Sequence, residues 1–164
     1  MIGTDYAALN DLPYLTAVIY ETLRLFPPIS QLMNRRTTEP VLLGGKIPIP
    51  AGAYVGYNGH AMGRDPEVWG KDADDFRPQR WGSNMDEINS LYRRVNSRAS
   101  FIAFHGGRRA CLGEKFTLFE ARVTLAELVR QVRWKIDPTW ERHMTPVRSN
   151  CANKGFAHIQ VANH

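Results

Sequence analysis

The sequence contains little cysteine and no long apolar run. Its two cysteines, Cys111 and Cys151, offer neither a disulfide framework nor the paired spacing of a zinc site. No apolar stretch approaches the roughly 18 residues needed to cross a bilayer, and the opening residues MIGTDYAALND lack the layout of a signal peptide. These absences favour an intracellular, reducing setting and argue against a segment that inserts into a membrane by itself.

The sequence also lacks nucleic-acid-binding motifs, internal repeats and low-complexity segments. Its net charge is +5, but the arginines are scattered along the chain instead of forming a basic stripe interleaved with aromatic residues. With 43% hydrophobic and 23% charged residues over 164 positions, the composition is that of one globular domain. We therefore expect no nucleic acid among its partners.

A buried helix is predicted in the stretch LPYLTAVIYETLRLF. Its apolar residues recur at three- and four-residue steps, at Leu12, Leu15, Ile19, Leu23 and Phe26. We expect Asn10 or Asp11 to cap the start of this helix and Pro13 to lie in its first turn. The following Pro27 and Pro28 end it, because proline removes a hydrogen-bond donor and restricts the residue before it.

The rest of the chain alternates between short extended pieces and helices. Residues 29–61 predict a hairpin in PVLLGGKIPIP and a further strand in AYVGYN. Residues 62–100 are rich in turn formers, with short helices expected over 66–69 and 86–92. LGEKFTLFEARVTLAELVRQV predicts a helix whose wide apolar cover indicates burial on more than one side. The last pieces, WKI and AHIQV, are predicted to be extended.

Cys111 lies in FHGGRRACLG, a basic, glycine-rich turn directly before this last helix. Three interpretations remain open from the residues themselves: a small apolar residue at a helix start, a redox or nucleophilic thiol assisted by His105, or a thiolate ligand of heme iron. Arg108, Arg109 and the helix start provide the positive surroundings in which thiolates form. The glycines would let a large flat group approach the backbone.

Three charged residues form a second candidate cluster. Glu21 and Arg24 lie three positions apart and so share a helix face. Arg80 stands among bulky residues in FRPQRW, and such an arginine is expected to have a buried carboxylate partner, because an unpaired buried charge is costly. The alternative is an ordinary solvated pair on the helix surface.

The combination of these motifs resembles the C-terminal part of a cytochrome P450. FHGGRRACLG resembles the heme-loop pattern F-x-x-G-x-R-x-C-x-G, ETLR resembles the E-x-x-R motif, and FRPQRW resembles the F-x-P-E-R-F/W motif that follows it. The motifs occur in the order found in the family, and the resemblance covers essentially all 164 residues.

The implied fold is mainly α with small β-sheet elements, the C-terminal part of the cytochrome P450 fold. In that fold a K helix is followed by short β hairpins, the meander, the Cys-ligand loop and the L helix. Residues 1–164 would form a partial cytochrome P450 domain that lacks the N-terminal anchor and the distal helix region.

The resemblance also implies the cofactor and the residues that bind it. Cys111 would bind the iron of heme b as a thiolate, and Arg109 would contact a heme propionate. Arg35 falls near the position of a second propionate-contacting arginine, and Phe104 would shield the proximal face of the porphyrin. Two glycines match the positions where the loop approaches the porphyrin, Gly107 and Gly113.

Other positions are assigned to support or to the substrate pocket. Glu21, Arg24 and Arg80 resemble the structural triad behind the heme, and residues 29–33 would line the distal pocket. No catalytic residue falls in this segment. The sequence departs from the family at Gln79, where glutamate is usual, and at Gly63, where a histidine often precedes RDP; His60 lies three residues earlier.

The implied function is that of a heme-thiolate monooxygenase, which inserts one atom of O2 into a small organic substrate. Its electrons would come from NADPH through NADPH-cytochrome P450 reductase, which would meet a basic surface formed by Arg93, Arg94, Arg108 and Lys115. The resemblance extends to fungal microsomal enzymes of the dityrosine-forming spore-wall type or the alkane and fatty-acid hydroxylase type. The full-length family member would be bound to the endoplasmic reticulum membrane.

The alternative is a truncated, catalytically inactive fragment. It would bind heme weakly or not at all, and without an anchor it would be soluble and cytoplasmic. In that case we expect the faces carrying Phe116 and Ile19 to be partly uncovered.

Overall fold

The computed structural model describes residues 6–29 and 35–133 of the chain. Helices α1 (Tyr6–Asn10) and α2 (Pro13–Leu25) come first, followed by four short strands and two short helices, α3 (Gly59–Met62) and α4 (Pro66–Trp69). The described chain continues with a 3₁₀ turn (Pro78–Trp81) and helix α5 (Met85–Ser97). It ends with a second 3₁₀ turn (Gly107–Arg109) and helix α6 (Glu114–Gln131). The predicted extended pieces WKI and AHIQV lie outside the described residues, as do Cys151 and most of the predicted distal-pocket segment.

Helix α2 forms where the apolar periodicity predicted it, with Pro13 in its first turn. The predicted cap was wrong, because α1 runs up to Asn10 and Leu12 occupies the N-cap position without a side-chain bond. Asn10 instead accepts a hydrogen bond from the Arg122 guanidinium at 3.2 Å, which ties the start of the chain to α6. A tertiary contact thus uses the side chain that local sequence assigned to a cap.

Two antiparallel strand pairs form beside the helices. Strands β2 (Val41–Leu43) and β3 (Ile47–Ile49) make the predicted hairpin, and the turn between them uses Gly44 and Gly45 at φ +58° and +72°. Strand β1 (Arg35–Arg36) pairs with β4 (Tyr54–Val55), so that Arg35 faces Val55. This second pair joins the segment after α2 to the segment that leads towards α3.

The core is built around aromatic side chains from α2, α5 and the 3₁₀ turn at 78–81. The ring of Tyr20 stacks on Tyr92 at 4.9 Å and lies 5.1 Å from Trp81. Trp81 in turn lies 5.6 Å from Trp69 and 5.2 Å from Phe101. These residues belong to one buried cluster, which links α2 to the chain that enters the cysteine loop.

Helix α5 is longer than the sequence predicted. Asn84 caps it by accepting a hydrogen bond from the Glu87 N–H at 3.0 Å, and the helix continues to Ser97 instead of ending near residue 92. The Tyr92 hydroxyl donates to the Glu114 carboxylate, which ties α5 to the first turn of α6.

Helix α6 is buried on one face, whereas the sequence predicted burial on more than one side. It contacts α1 and α2, and its buried residues are Leu118 and Arg122. Phe116 is 70% exposed, because no described element covers the opposite face. Ile19, expected to be partly uncovered, is buried. Within residues 6–29 and 35–133 no helix combines the length and apolar character that a membrane crossing requires.

Candidate functional site

The Glu21 carboxylate binds both arginines of the predicted cluster. Its two oxygens accept from Arg24 Nε and Nη2, each at 2.8 Å, and Oε1 also accepts from Arg80 Nε at 2.9 Å. Glu21 and Arg24 are fully buried, and the Arg80 side chain is nearly so. The structure therefore brings the three side chains together as one buried ion triad.

Two further donors, which the sequence did not indicate, complete the environment of Glu21. The Trp81 Nε1–H donates to Oε2 at 3.0 Å, and the Arg77 backbone N–H donates to Oε1 at 2.8 Å. Burial on its own would raise the pKa of Glu21, but the hydrogen bonds from Arg24, Arg77 and Arg80 together lower that pKa below its ordinary value. The carboxylate is therefore held ionised inside the fold.

Arg24 uses the rest of its guanidinium on backbone carbonyls. Its Nη1 donates to the Gly63 and Ala73 oxygens, and its Nη2 also donates to the Asp75 oxygen at 3.1 Å. The guanidinium lies over the Trp69 ring, 5.1 Å from its centroid. Among the described residues every buried side-chain nitrogen and oxygen has a hydrogen-bond partner, so no buried polar atom of this cluster is left unsatisfied.

Gly63, where the family pattern has a histidine, packs directly against Arg24. A Cβ at this position would clash with the Arg24 carbonyl oxygen. The backbone as it stands therefore excludes any side chain here, which gives a packing reason for the departure seen in the sequence. His60 lies three residues earlier on α3 and is half-buried.

The cysteine loop is shaped by its own backbone. The Cys111 N–H donates to the Phe104 carbonyl oxygen at 2.8 Å, and the Ala110 N–H closes the 3₁₀ turn on Gly107 at 3.2 Å. Gly107 has φ +60°, a left-handed conformation that favours glycine, and a Cβ there would have nothing within 4 Å. The loop thus leaves open space next to its backbone.

The two ends of the loop have opposite surroundings. Phe104 is buried in the aromatic core cluster, whereas Arg109 and Cys111 are exposed. Leu112 is fully exposed, and a Cβ on Gly113 would lie 3.8 Å from the Cys111 Sγ. The loop therefore exposes a thiol, guanidinium groups and apolar side chains. Together these groups fit a ligand that combines an apolar ring, carboxylates and a metal ion that binds thiolates.

Arg35 lies on β1 and is exposed, and its charge affects the pKa of Tyr57, which follows β4 in the chain. Burial raises the pKa of Tyr57, and the Arg35 charge acts in the opposite direction. The Tyr57 hydroxyl is hydrogen-bonded to His105 Nδ1 at 2.7 Å. His105, considered from the sequence as a helper of the thiol, thus has its Nδ1 engaged by a tyrosine that no sequence motif singled out.

The predicted partner-facing residues are accessible. Two of them lie on α5, one in the 3₁₀ turn of the loop and one in the first turn of α6, and all four are exposed: Arg93, Arg94, Arg108 and Lys115.

Comparisons with known proteins agree on one family. The family model described as Cytochrome P450 matches residues 3–156. Cytochrome P450-DIT2 of Saccharomyces cerevisiae is 49% identical over 148 residues, which cover 90% of this chain and 30% of that protein. Cytochrome P450 monooxygenase xanG of Aspergillus fumigatus is 47% identical over 139 residues, 85% of this chain and 26% of that protein.

A solved structure shows the same fold. The crystal structure of the heme domain of a cytochrome P450DA mutant aligns with a TM-score of 0.81 at 23% identity, covering 99% of this chain and 33% of that one. The predicted fold class, mainly α with small sheets, is confirmed by this match. The chain spans 30% of the length of the yeast relative and 26% of the length of the Aspergillus relative.

Proposed function

The chain belongs to the cytochrome P450 family, and we propose that it binds heme b through the Cys111 thiolate. The observation that carries the proposal is the exposed thiol at the end of a loop that its own backbone bonds hold open. When bound through a cysteine thiolate, heme supplies the electron-rich iron that favours O–O cleavage and oxygen transfer.

The side chains of the loop bind and orient the cofactor in this proposal. The Arg109 guanidinium can hold a propionate carboxylate bidentately, and Arg35 would hold the other propionate. The open space beside Gly107 and the absence of a side chain at Gly113 would admit the porphyrin ring. Phe104 would shield the proximal face from its place at the edge of the aromatic core.

The buried triad supports the loop and does not touch the ligand. Glu21 binds Trp81 Nε1, Trp81 packs on Phe101 at 5.2 Å, and Phe101 belongs to the same cluster as Phe104. We therefore assign Glu21, Arg24 and Arg80 a structural role, which is to keep the core under the loop rigid and so to retain heme.

The reaction proposed for the whole protein is the insertion of one atom of O2 into a small organic substrate. NADPH-cytochrome P450 reductase would deliver the electrons, and the exposed basic residues Arg93, Arg94, Arg108 and Lys115 would complement an acidic partner surface. We further propose that the whole protein is an enzyme of the endoplasmic reticulum membrane, of the dityrosine-forming spore-wall type or of the alkane and fatty-acid hydroxylase type, as its sequence motifs imply.

A second candidate is that residues 1–164 bind heme weakly or not at all. Leu112, next to Cys111, is fully exposed and Phe116 is 70% exposed, so among the described residues these apolar side chains have little cover.

One experiment separates the two candidates. Residues 1–164 are mixed with hemin, reduced with dithionite and exposed to CO, and the position of the Soret band is recorded. We expect the red-shifted band of a thiolate-ligated heme in the unsubstituted chain and in Cys151→Ala, and its loss in Cys111→Ala. If the unsubstituted chain shows no red-shifted band, the second candidate is supported; if Cys111→Ala keeps the band, the ligand assignment is wrong.

A further inference from the structure

Tyr57 and His105 join two segments that the sequence keeps far apart. The Tyr57 Oη lies 2.7 Å from His105 Nδ1, across 48 positions of sequence. The two rings meet edge to face, with centroids 6.0 Å apart and an interplanar angle of 75°. Both side chains are half-buried, so water competes with this hydrogen bond less than it would at the surface. The contact links the end of the β1–β4 pair to the cysteine loop.

His105 holds a backbone conformation that most side chains avoid. Its φ is +62°, and its N–H closes a tight turn on the Ile102 carbonyl oxygen at 3.0 Å. A left-handed conformation is unfavourable for a residue other than glycine, and a side-chain hydrogen bond offsets a cost of this kind. The bond to Tyr57 therefore stabilises the conformation that starts the loop.

The loop borders a groove on its α5 side. Gly106 and Gly107 line this groove together with Tyr92, Arg93 and Asn96 of α5, and Tyr57 and His105 line it too. A Cβ on Gly106 would lie 3.4 Å from the Asn96 side-chain oxygen, whereas a Cβ on Gly107 would have nothing within 4 Å. The Tyr57 bond to His105 therefore adds to a limited contact between these glycines and α5.

Tyr57 follows strand β4, which pairs with the strand that carries Arg35. Arg35 faces Val55 across the β1–β4 pair, and Tyr57 follows Val55 by two residues. Burial raises the pKa of Tyr57, and the Arg35 charge acts in the opposite direction. Arg36, by contrast, packs over the Tyr54 ring at 5.9 Å and donates to the Gly52 carbonyl oxygen.

We propose that Tyr57 is a positioning residue for the cofactor site. Through His105 it fixes the cysteine loop relative to the β1–β4 pair, and so it sets the spacing between Arg35 and Arg109. Two cations on segments of fixed relative position suit a ligand with two carboxylates, because the two segments need not then be ordered on binding. The carboxylate part of this proposal rests on the proposed heme site, whereas the positioning of the loop does not.

The first test compares Tyr57→Phe with the matched control Tyr54→Phe. Both substitutions remove one hydroxyl, but Tyr54 is 70% exposed and its interaction is through the ring face. We expect amide hydrogen exchange over residues 105–111 to speed up about fivefold in Tyr57→Phe, the size of one lost hydrogen bond, and to stay unchanged in Tyr54→Phe. Equal exchange in the two variants overturns the proposal.

The second test asks whether the effect passes through His105. His105→Gly removes the side-chain bond, while glycine adopts φ +62° without strain. We expect Tyr57→Phe to have no further effect on exchange in the His105→Gly background, since the two groups act through one bond. A fivefold effect that persists in that background overturns the role of His105.

The third test measures the release of hemin to apomyoglobin. We expect a several-fold faster release from Tyr57→Phe than from Tyr54→Phe, and no such difference in the His105→Gly background. If exchange changes but release does not, Tyr57 positions the loop without setting the Arg35–Arg109 spacing, and that part is overturned. If the unsubstituted chain gives no thiolate-type spectrum, the proposed heme site fails, while the exchange results still decide the positioning of the loop.

Discussion

The triad behind the core and the cysteine loop use the same residue types in opposite ways. Arg24 is buried, and its guanidinium donates to Glu21 and to backbone carbonyls. Arg109, in the loop, is exposed next to an exposed thiol. Both regions contact the same aromatic cluster, the triad through Trp81 and the loop through Phe104.

This difference in burial indicates that the triad stabilises the fold, whereas the cysteine loop is available to bind a ligand. A buried guanidinium must have its partners inside the fold, because an uncompensated buried charge costs several kcal/mol, on the order of 3–5. Such a group has no donors left for a ligand. An exposed guanidinium keeps its donors available, so the loop is where a carboxylate ligand can be bound. Changes in the triad should therefore affect the stability of the fold, and changes in the loop should affect binding.

The largest loss of stability is expected from Glu21→Gln. The substitution leaves the buried Arg24 guanidinium without a countercharge and leaves Arg80 paired only with Asp72 at 3.4 Å, which predicts a loss of about 3–5 kcal/mol in the free energy of unfolding. Urea unfolding followed by tryptophan fluorescence measures it, since Trp81 contacts Glu21 directly.

Glu127→Gln is the matched control for this change. Glu127 pairs with Arg130 at 3.2 Å on the exposed end of α6, where a single ion pair contributes about 0–1 kcal/mol. If both substitutions lower the free energy of unfolding equally, the buried and exposed ion pairs do not differ in their contribution to stability. That result would contradict the structural role assigned to the triad.

A smaller loss is expected from Gly63→Ala. The added Cβ meets the Arg24 carbonyl oxygen, so the backbone must shift, at about 1–3 kcal/mol. Gly106→Ala, in the loop, should stay within about 0.5 kcal/mol, because its Cβ would only approach the Asn96 side chain at 3.4 Å. Thermal or urea unfolding of the two variants compares the regions with the same chemical change; equal losses would mean that the loop is packed as tightly as the core.

Local features of the fold could be predicted from the sequence. The three- and four-residue apolar steps predicted α2, and the alternation around GG predicted the β2–β3 hairpin. Each of these depends on residues a few positions apart, which is the range in which periodicity and turn chemistry act.

The Glu21–Arg80 contact, across 59 positions, was expected because both residues belong to recognised motifs. The other contacts between distant residues could not be predicted. Asn10 was expected to cap α2 but binds Arg122, 112 positions away. The Trp81 donor to Glu21 lies across 60 positions, and the Tyr57 partner of His105 across 48. Tertiary packing decides such contacts, and a single sequence holds no local signal for them.

Acid should reduce the difference in stability between the unsubstituted chain and Glu21→Gln. Burial would raise the pKa of Glu21, but its hydrogen bonds lower it, so the carboxylate contributes stability above the ordinary glutamate pKa, about 4.3. That contribution is lost as the pH falls through the lowered pKa. Unfolding measured between about pH 7 and pH 3 should show the gap between the unsubstituted chain and Glu21→Gln narrowing below about pH 4. A gap that stays constant would contradict the ionised triad.

The smallest effect is expected from Leu112→Ala in the loop. Leu112 is fully exposed, so its removal deletes no packed contact and should change the free energy of unfolding by less than about 0.5 kcal/mol. Leu118→Ala, six residues further on the buried face of α6, should cost about 2–5 kcal/mol by leaving a cavity. Urea unfolding of the two variants measures both values. If Leu112→Ala costs as much as Leu118→Ala, the loop is packed in solution, and its side chains do not stand open to a ligand.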